Sequence, residues 1–397
     1  MTADQWLSQL RPGDLVVVAQ GVGEPTLLLE QLLIAAPTGV EVFVGLSHSD
    51  ALTRPSPLPL LSFGAMGPLG RPPHRGKVEV IPARFDDLPR VLLHRGRDLV
   101  LLVQVTEADE HGEHSLGMAV DYTYDLLGRA RLVVAEVNAQ LPVTSAPRLH
   151  GSAFDALVPT SRPLPVVAVP EVGAPQQRIA AHVAGLVPDG ATLQLGVGAL
   201  AGAVGHALVG HRNLAVRSTL AGDWLLELAD AGALRPQGVV ISEAAGSPAL
   251  CRYVTGPDVA VCSVHQVTSP AAAGDIDRFV AVNAGLQVDL TGQINAEEVS
   301  AGYVGGVGGQ PEYMRAAQRS HGGCAVIALP ATAGSYSRIV PRLAPATVTT
   351  PRSGVDVVVT EHGVADLRGR SLRERAVSLI AIAAPEHRTT LREGLEQ

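Results

Sequence analysis

Three cysteines in 397 residues, Cys251, Cys262 and Cys324, form no C-x-x-C pair and leave one thiol over in any pairing scheme. That excludes a disulfide framework and fits a reducing compartment, with the thiols as core residues. No apolar stretch approaches the roughly 18 residues that a membrane span needs, and the N-terminus, MTADQWLSQLRPGD, has no basic region followed by an apolar run. A soluble, cytoplasmic protein is expected. Lys and Arg are scattered and the net charge is -8, which argues against a nucleic-acid partner. The one basic run, Arg71-Pro72-Pro73-His74-Arg75-Gly76-Lys77, reads as a solvated loop. There is no Gly-x-Ser-x-Gly elbow and no H-E-x-x-H, so neither a serine hydrolase nor a zinc protease is indicated.

What is present is apolar and periodic. Hydrophobic residues make up 46% of the chain, enough for two cores, and two domains are expected, at 1–165 and 176–397. Strand-length, β-branched runs recur at 14–19, 40–44, 78–81, 98–105, 132–137, 192–195, 214–218, 238–242, 259–264, 279–283, 325–329 and 355–360. Most are apolar throughout, as in strands covered on both faces. Helix-period segments lie between them at 26–35, 122–130, 203–209, 223–231 and 372–382. The alternation predicts an α/β fold with mainly parallel sheets.

The halves also resemble each other. Leu10-Arg11-Pro12-Gly13-Asp14-Leu15 leads to Gly21-Val22-Gly23 and a helix, while Leu186-Val187-Pro188-Asp189-Gly190-Ala191 leads to Gly196-Val197-Gly198 and another. Val137-Asn138-Ala139-x-Leu141 is answered by Val282-Asn283-Ala284-x-Leu286. An internal duplication follows, with an insert rich in Pro and Gly at 48–77 of the first half and a linker at 162–175. Each Gly-x-Gly turn would present free backbone N–H groups at the carboxyl end of a strand, where open α/β sheets bind ligands. Neither turn has the third glycine of a dinucleotide fingerprint, so a nicotinamide cofactor is disfavoured.

Gly305-Gly306-Val307-Gly308-Gly309, ahead of Gln310 and Pro311, is the densest motif. Four glycines in five residues suit either a ligand approaching backbone N–H groups or an ordinary flexible turn, and Pro311 suits the first turn of a helix. Asp109-Glu110-His111-Gly112-Glu113-His114 has five potential ligands, but adjacent side chains in a loop rarely converge, so a polar or substrate-facing loop is favoured over a metal site. Thr360-Glu361-His362-Gly363 marks another strand end, able to contribute polar contacts or to cap a helix.

Together, Leu193-Gln194-Leu195-Gly196-Val197-Gly198, Val288-Asp289-Leu290-Thr291-Gly292-Gln293, the 305–310 loop, Ser337-Arg338-Ile339-Val340-Pro341 and the segment from Val359 through Thr360-Glu361-His362 to Gly369 resemble the acetyl-CoA hydrolase/transferase family, closest to its 4-hydroxybutyrate CoA-transferase type. Asp109-Glu110-His111-Gly112, Ser115-Leu116-Gly117 and Glu136-Val137-Asn138 extend the resemblance into the first half. It implies a CoA-transferase-like pair of related open α/β domains, a homodimer or higher oligomer, and an acyl-CoA thioester and a small carboxylate as substrates, with no bound cofactor or metal. By the same resemblance, Gly305, Gly306, Val307, Gly308, Gly309 and Gln310 face the thioester. Gly196, Val197, Gly198 and Ala199 lie beside the nucleophile.

The family nucleophile is a glutamate, which forms an acyl-glutamyl anhydride and then a glutamyl-CoA thioester. It sits in a segment of the form Leu-Gly-Ile-His-Ser-Glu-Met. Here Leu214-Ala215-Val216-Arg217-Ser218-Thr219-Leu220 occupies that place, and Thr219 replaces the carboxylate. A hydroxyl cannot form the anhydride. Glu243, at the end of the 238–242 strand, is a possible surrogate, although the family usually has an apolar residue there. Two outcomes stay open: a transferase or hydrolase of short-chain acyl-CoA, and a catalytically inactive acyl-CoA-binding homologue with a regulatory or partner role. A nucleotide-dependent oxidoreductase is more remote.

Overall fold

The computed structural model describes residues 4–168, 171–269, 275–343 and 347–394. The chain forms two compact units. The first comprises Met1–Val167 with Val240–Val267 and Ala301–Gly308, and the second Ala168–Val239, Thr268–Ser300 and Gly309–Gln397. The first long stretch ends inside the expected linker, whereas two later segments also belong to the first unit. Part of that linker, at 169–170, and the segment 270–274 lie outside the described residues.

In the first unit the strands are β1 (Leu15–Val18), β2 (Glu41–Val44), β3 (Leu60–Ser62), β4 (Glu79–Val80), β5 (Leu99–Val105), β6 (Leu132–Asn138) and β7 (Ala156–Thr160). They lie in the order β4-β3-β2-β1-β5-β6-β7, every neighbouring pair parallel. β1 and β5 are buried along their whole length, as their unbroken apolar runs require. Helix α1 (Thr26–Ala35) has the predicted bounds and inserts Leu28, Leu29 and Leu32 into a core with Val16, Val18, Val42 and Val100. It stops at Ala36, which adopts a left-handed conformation (φ 44°) while its N–H closes on the Leu32 carbonyl.

In the second unit β8 (Thr192–Leu195), β9 (Leu214–Ala221), β10 (Leu234–Ala244), β11 (Phe279–Ala284), β12 (Cys324–Ala328), β13 (Val357–Thr360) and β14 (Gly363–Asp366) are ordered β10-β9-β8-β11-β12-β13-β14. Only the β13–β14 pair at the edge is antiparallel among the registers described. β10 starts in the second unit, and its last residues, including Glu243, belong to the first. Helices α2 (Ala174–Ala184), α3 (Ala199–Ala207) and α4 (Trp224–Asp230) follow the sheet. α3 and α4 meet closely, because a Cβ on Gly205 would lie 2.4 Å from Trp224 Cβ.

Both sheets place their first strand centrally, with the next three on one side (β2, β3 and β4; β9, β10 and the edge strand Val259–Val261) and the later ones on the other, as a duplication requires. The Val-Asn-Ala match is not part of it. Asn138 ends β6, but Asn283 lies in β11, the partner of the central β8, and the equivalent partner of β1 is β5. Other expectations shift. Residues 122–130 form a 3-10 segment, Tyr124–Arg129, because Tyr122 leaves the helical path to pack edge-on against Phe43, Phe63 and Phe85. The 259–264 strand shortens to Val259–Val261, and a helix starts at Val264. The 203–209 helix begins four residues earlier, at Ala199. Among the described residues no helix is long and apolar enough to cross a membrane.

Candidate active site

The first Gly-x-Gly turn holds a side chain of the protein itself. Val22 N–H donates to Glu243 Oε1 at 3.0 Å, and Gln20 Nε2 donates to Glu243 Oε2 at 3.3 Å. The other turn amides are also engaged: Gly21 N–H meets the Leu46 carbonyl and Gly23 N–H the Gln20 carbonyl. The expectation of free donors here is corrected, since the carboxylate of Glu243 takes the role of ligand. Gly21 has φ +62°, and a Cβ there would fall 1.7 Å from Glu243 Oε1, so only glycine lets turn and carboxylate meet. Glu243 is 3% exposed. Burial pushes its pKa up to about 7 against the opposing Val22 amide, and the nearby Asp121 adds to the rise.

Three further acids surround the turn. Gln20 N–H donates to Asp121 Oδ2 at 2.5 Å. Glu24 is buried, its Oε2 lacks a hydrogen-bond partner, and burial raises its pKa. Glu136 Oε2 accepts from Leu27 N–H at 2.8 Å and Leu28 N–H at 3.3 Å, the first amides of α1, while burial raises its pKa to about 7. Sequence reasoning missed this cluster as a unit. Glu136-Val137-Asn138 carried part of the signal, and Glu24 sits directly before Pro25 at a helix start.

In the second unit, Gly196-Val197-Gly198 leaves β8 and opens α3, with Gly198 at φ +104°. Gly196 and Val197 line a small cavity of about 110 Å³ with Leu200 and Asn283. Asn283 Nδ2 donates to Gln194 Oε1 at 2.8 Å, which leaves its carbonyl oxygen as the free end of the amide. Trp224 Nε1 donates to the Gly196 carbonyl at 2.9 Å, fixing the turn from below. The β8–β9 register, with Ser218 Oγ donating to the Leu195 carbonyl at 2.6 Å, sets Thr219 alongside Gly196. Thr219 N–H donates to Tyr313 Oη at 2.7 Å. Tyr313 is 2% exposed, and burial holds its phenol well above the usual tyrosine range. It is no base for the Thr219 hydroxyl.

The glycine loop has a packing role of its own. Ala65 N–H donates to the Gly305 carbonyl at 2.9 Å, and Phe85 N–H to the Gly308 carbonyl at 3.0 Å. Gly306 lies so close to Gly64 that a Cβ would be 3.1 Å from its Cα. The chain then passes into the second unit, where Gly309 precedes a helix, Gln310–Arg319, with Pro311 in its first turn. Gln310 Nε2 is tied to Thr350 Oγ1 at 2.8 Å.

Several distinctive motifs prove to be scaffolding. Asp109 Oδ1 accepts from His111 and Glu113 N–H, and its Oδ2 accepts from Arg148 at 2.6 Å, so the acidic loop is a braced hairpin turn. Asp289 of Val288-Asp289-Leu290-Thr291-Gly292-Gln293 accepts from Thr291 N–H, Thr291 Oγ1 and Gln293 N–H through Oδ1, and from Gln293 Nε2 through Oδ2. Glu361 Oε2 accepts from Ala331 N–H at 2.8 Å, near the half-buried guanidinium of Arg338, whose Nε is unpaired. Among the described residues no group of three or more His, Cys, Asp or Glu is placed to hold a metal ion.

Comparison with known proteins gives one answer. The family model for the acetyl-CoA hydrolase/transferase C-terminal domain matches residues 246–395. The chain is 36% identical to a 4-hydroxybutyrate coenzyme A transferase of Clostridium kluyveri, over 98% of this chain and 96% of that one. It is 33% identical to a succinyl-CoA:cyclohexane-1-carboxylate CoA transferase of Geobacter metallireducens, over 97% and 92%. Among solved structures, a 4-hydroxybutyrate CoA-transferase of Porphyromonas gingivalis superposes with TM-score 0.81 at 31% identity, covering 100% of this chain and 97% of that one. RipA of Yersinia pestis superposes with TM-score 0.88 at 29% identity, covering 100% and 96%. Fold similarity and near full-length identity above 30% agree: the chain belongs to the acetyl-CoA hydrolase/transferase family of enzymes.

Proposed function

We propose that the protein acts on a short-chain acyl-CoA, releasing the acyl group as its carboxylate and passing the CoA either to water or to a second small carboxylate, and that Glu243 supplies the carboxylate which Thr219 cannot. The observation that carries this reading is the Glu243 side chain, gripped by an amide of the Gly21-Val22-Gly23 turn. With a pKa of about 7, it is about half ionised at neutral pH. In the transfer step the ionised Glu243 attacks the thioester carbonyl carbon, the C–S bond breaks and CoA leaves as the thiolate. That thiolate then attacks the glutamyl carbonyl of the anhydride and expels the product carboxylate, leaving CoA on Glu243. Backbone amides of the 305–308 loop, which belongs to the same unit as Glu243, are suited to a carbonyl oxygen gaining charge. A homodimer or higher oligomer belongs to the same reading.

A second reading has its own support. Glu243 is 3% exposed, and Thr219 is bonded to Tyr313, so a site that binds acyl-CoA without turnover fits an inactive homologue. The deciding experiment incubates purified protein with acetyl-, butyryl- and 4-hydroxybutyryl-CoA, with and without acetate, and follows free CoA, product thioesters and protein mass. A CoA adduct on Glu243, lost in Glu243→Gln, establishes transfer. Free CoA without acetate establishes hydrolysis. Turnover that survives Glu243→Gln removes Glu243 from the chemistry, and tight binding without turnover in the wild type decides for the inactive homologue. Thr219→Glu is expected to confer or raise transfer by restoring the family carboxylate.

A further inference from the structure

A groove of about 910 Å³ in the second unit, away from the Gly196 turn in sequence, is lined by Leu290, Pro341, Leu372 and Val377 and by three arginines, Arg342, Arg373 and Arg392. The arginines come from three separate segments. Arg342 follows the Ile339–Val340 strand, Arg373 is in the first turn of helix Leu372–Ala381, and Arg392 is in the last turn of helix Arg388–Glu393.

Neighbouring arginines are all engaged. Arg368 pairs with Asp366 at 2.6 Å and Arg370 with Glu374 at 3.8 Å. Arg375 donates to the Thr291 and Arg352 carbonyls, and Arg388 to the Ala383 carbonyl. Among the described residues the guanidinium groups of Arg342, Arg373 and Arg392 have neither hydrogen bond nor ion pair, and no acidic side chain lines the groove. A chain of net charge -8 thus gathers around one cavity three guanidinium groups that no described side chain neutralises. Its walls are apolar: Leu372 is 52% exposed and Val377 62%.

We propose that this groove binds a nucleoside polyphosphate. Guanidinium forks match phosphate oxygens in bidentate pairs and also stack on planar rings. Three of them suit a ligand with at least two phosphate groups. The apolar wall calls for a nonpolar body beside the charge, and the volume falls in the range of nucleotide-sized ligand pockets. Inorganic phosphate leaves that wall uncovered, and a fatty anion brings one charge for three arginines. The polyphosphate comes either from the nucleotide end of CoA, in which case the inference rests on the function proposed above, or from a free nucleotide.

The test is calorimetric titration of the full chain at low salt with CoA, ADP, ATP, adenosine and inorganic phosphate, repeated with Arg342→Gln, Arg373→Gln, Arg392→Gln and the triple variant. The arginines are exposed, so the variants are expected to fold, which circular dichroism checks. ADP or ATP is expected to bind more tightly than adenosine or phosphate, and each substitution to weaken it about tenfold, roughly one charge-assisted contact. A parallel loss for CoA identifies the groove as its nucleotide subsite. Loss for ATP with CoA unchanged identifies a separate nucleotide site. ATP binding that depends on the arginines, with no CoA binding at all, leaves this proposal standing and overturns the acyl-CoA reading. The proposal is overturned if no nucleotide binds, if the triple variant binds ADP and ATP as well as the wild type, or if light scattering shows that the substitutions change the oligomeric state and that the groove is a self-association face.

Discussion

Replacing Gly21 by alanine would test whether the turn and Glu243 form one unit. The new Cβ would lie 1.7 Å from Oε1, 2.5 Å from Cδ and 2.7 Å from Oε2 of Glu243, so the whole carboxyl group has to leave. Its departure breaks the 3.0 Å bond from Val22 N–H, worth about 1.5–3 kcal/mol for a charged acceptor. Alanine at φ +62° adds about 1–2 kcal/mol of backbone strain. Gly21→Ala alone should therefore cost about 3–5 kcal/mol. In a Glu243→Ala background the clash and the bond are already gone, and only the backbone strain of about 1–2 kcal/mol remains. The coupling between the two positions should reach about 2 kcal/mol. Urea unfolding of wild type, both single variants and the double variant at one pH, with unchanged m, measures it. Additivity within about 0.5 kcal/mol would refute the docked carboxylate and the nucleophile argument built on it.

Glu243 and Glu136 both rise from 4.5 to about 7 on folding. An acid whose folded pKa is raised contributes its stability below pH 4.5 and loses it as pH climbs through 7, about 3 kcal/mol for such a group. Urea midpoints should fall between pH 5 and 8, and Glu243→Gln should remove part of that fall, with Glu136, Glu24 and Asp121 carrying more of it; an unchanged slope in the variant contradicts the assignment. Burial alone would raise Asp289, yet the Thr291 and Gln293 donors outweigh it and hold its pKa down. Its contribution is present above the ordinary carboxylate pKa and disappears as pH falls through the depressed one. Asp289→Asn should lower stability at pH 7 by about 2–3 kcal/mol and flatten the acid limb of unfolding curves. Tyr313→Phe leaves the Thr219 amide without its partner and should cost about 1–3 kcal/mol, with faster hydrogen exchange at that amide as the specific readout.

Much of the fold was legible because the two sheets announce themselves in apolar runs. β8 and α1 have their predicted bounds, and β1, β2 and β5 differ by a residue or so at their ends. Residues 122–130 misled because helix periodicity cannot register that Tyr122 is claimed by three phenylalanines. The Val-Asn-Ala repeat misled for a different reason: short words at strand ends recur wherever an amide must reach a neighbouring glutamine, whichever strand it is. At the site, the turn of Gly196-Val197-Gly198 between a strand and a helix was readable from the glycine spacing. The embrace of Glu243 by the first glycine turn was not, since it joins residues more than 200 positions apart.

The chain passes from one unit to the other after Val167, Val239, Val267, Ser300 and Gly308, rather than once through a single linker. Neither unit can therefore be released as a continuous fragment. A polypeptide ending at Val167 would carry the Gly21 turn without Glu243 to occupy it, and Gly64 without Gly306. Synthesis from the ribosome meets the same condition: the first sheet emerges early, but its turn stays unfilled until some 220 more residues have followed. Completion of the first unit thus waits until Gly308 has been made, after two of the second unit's three segments, so neither half of the chain taken alone carries a whole unit.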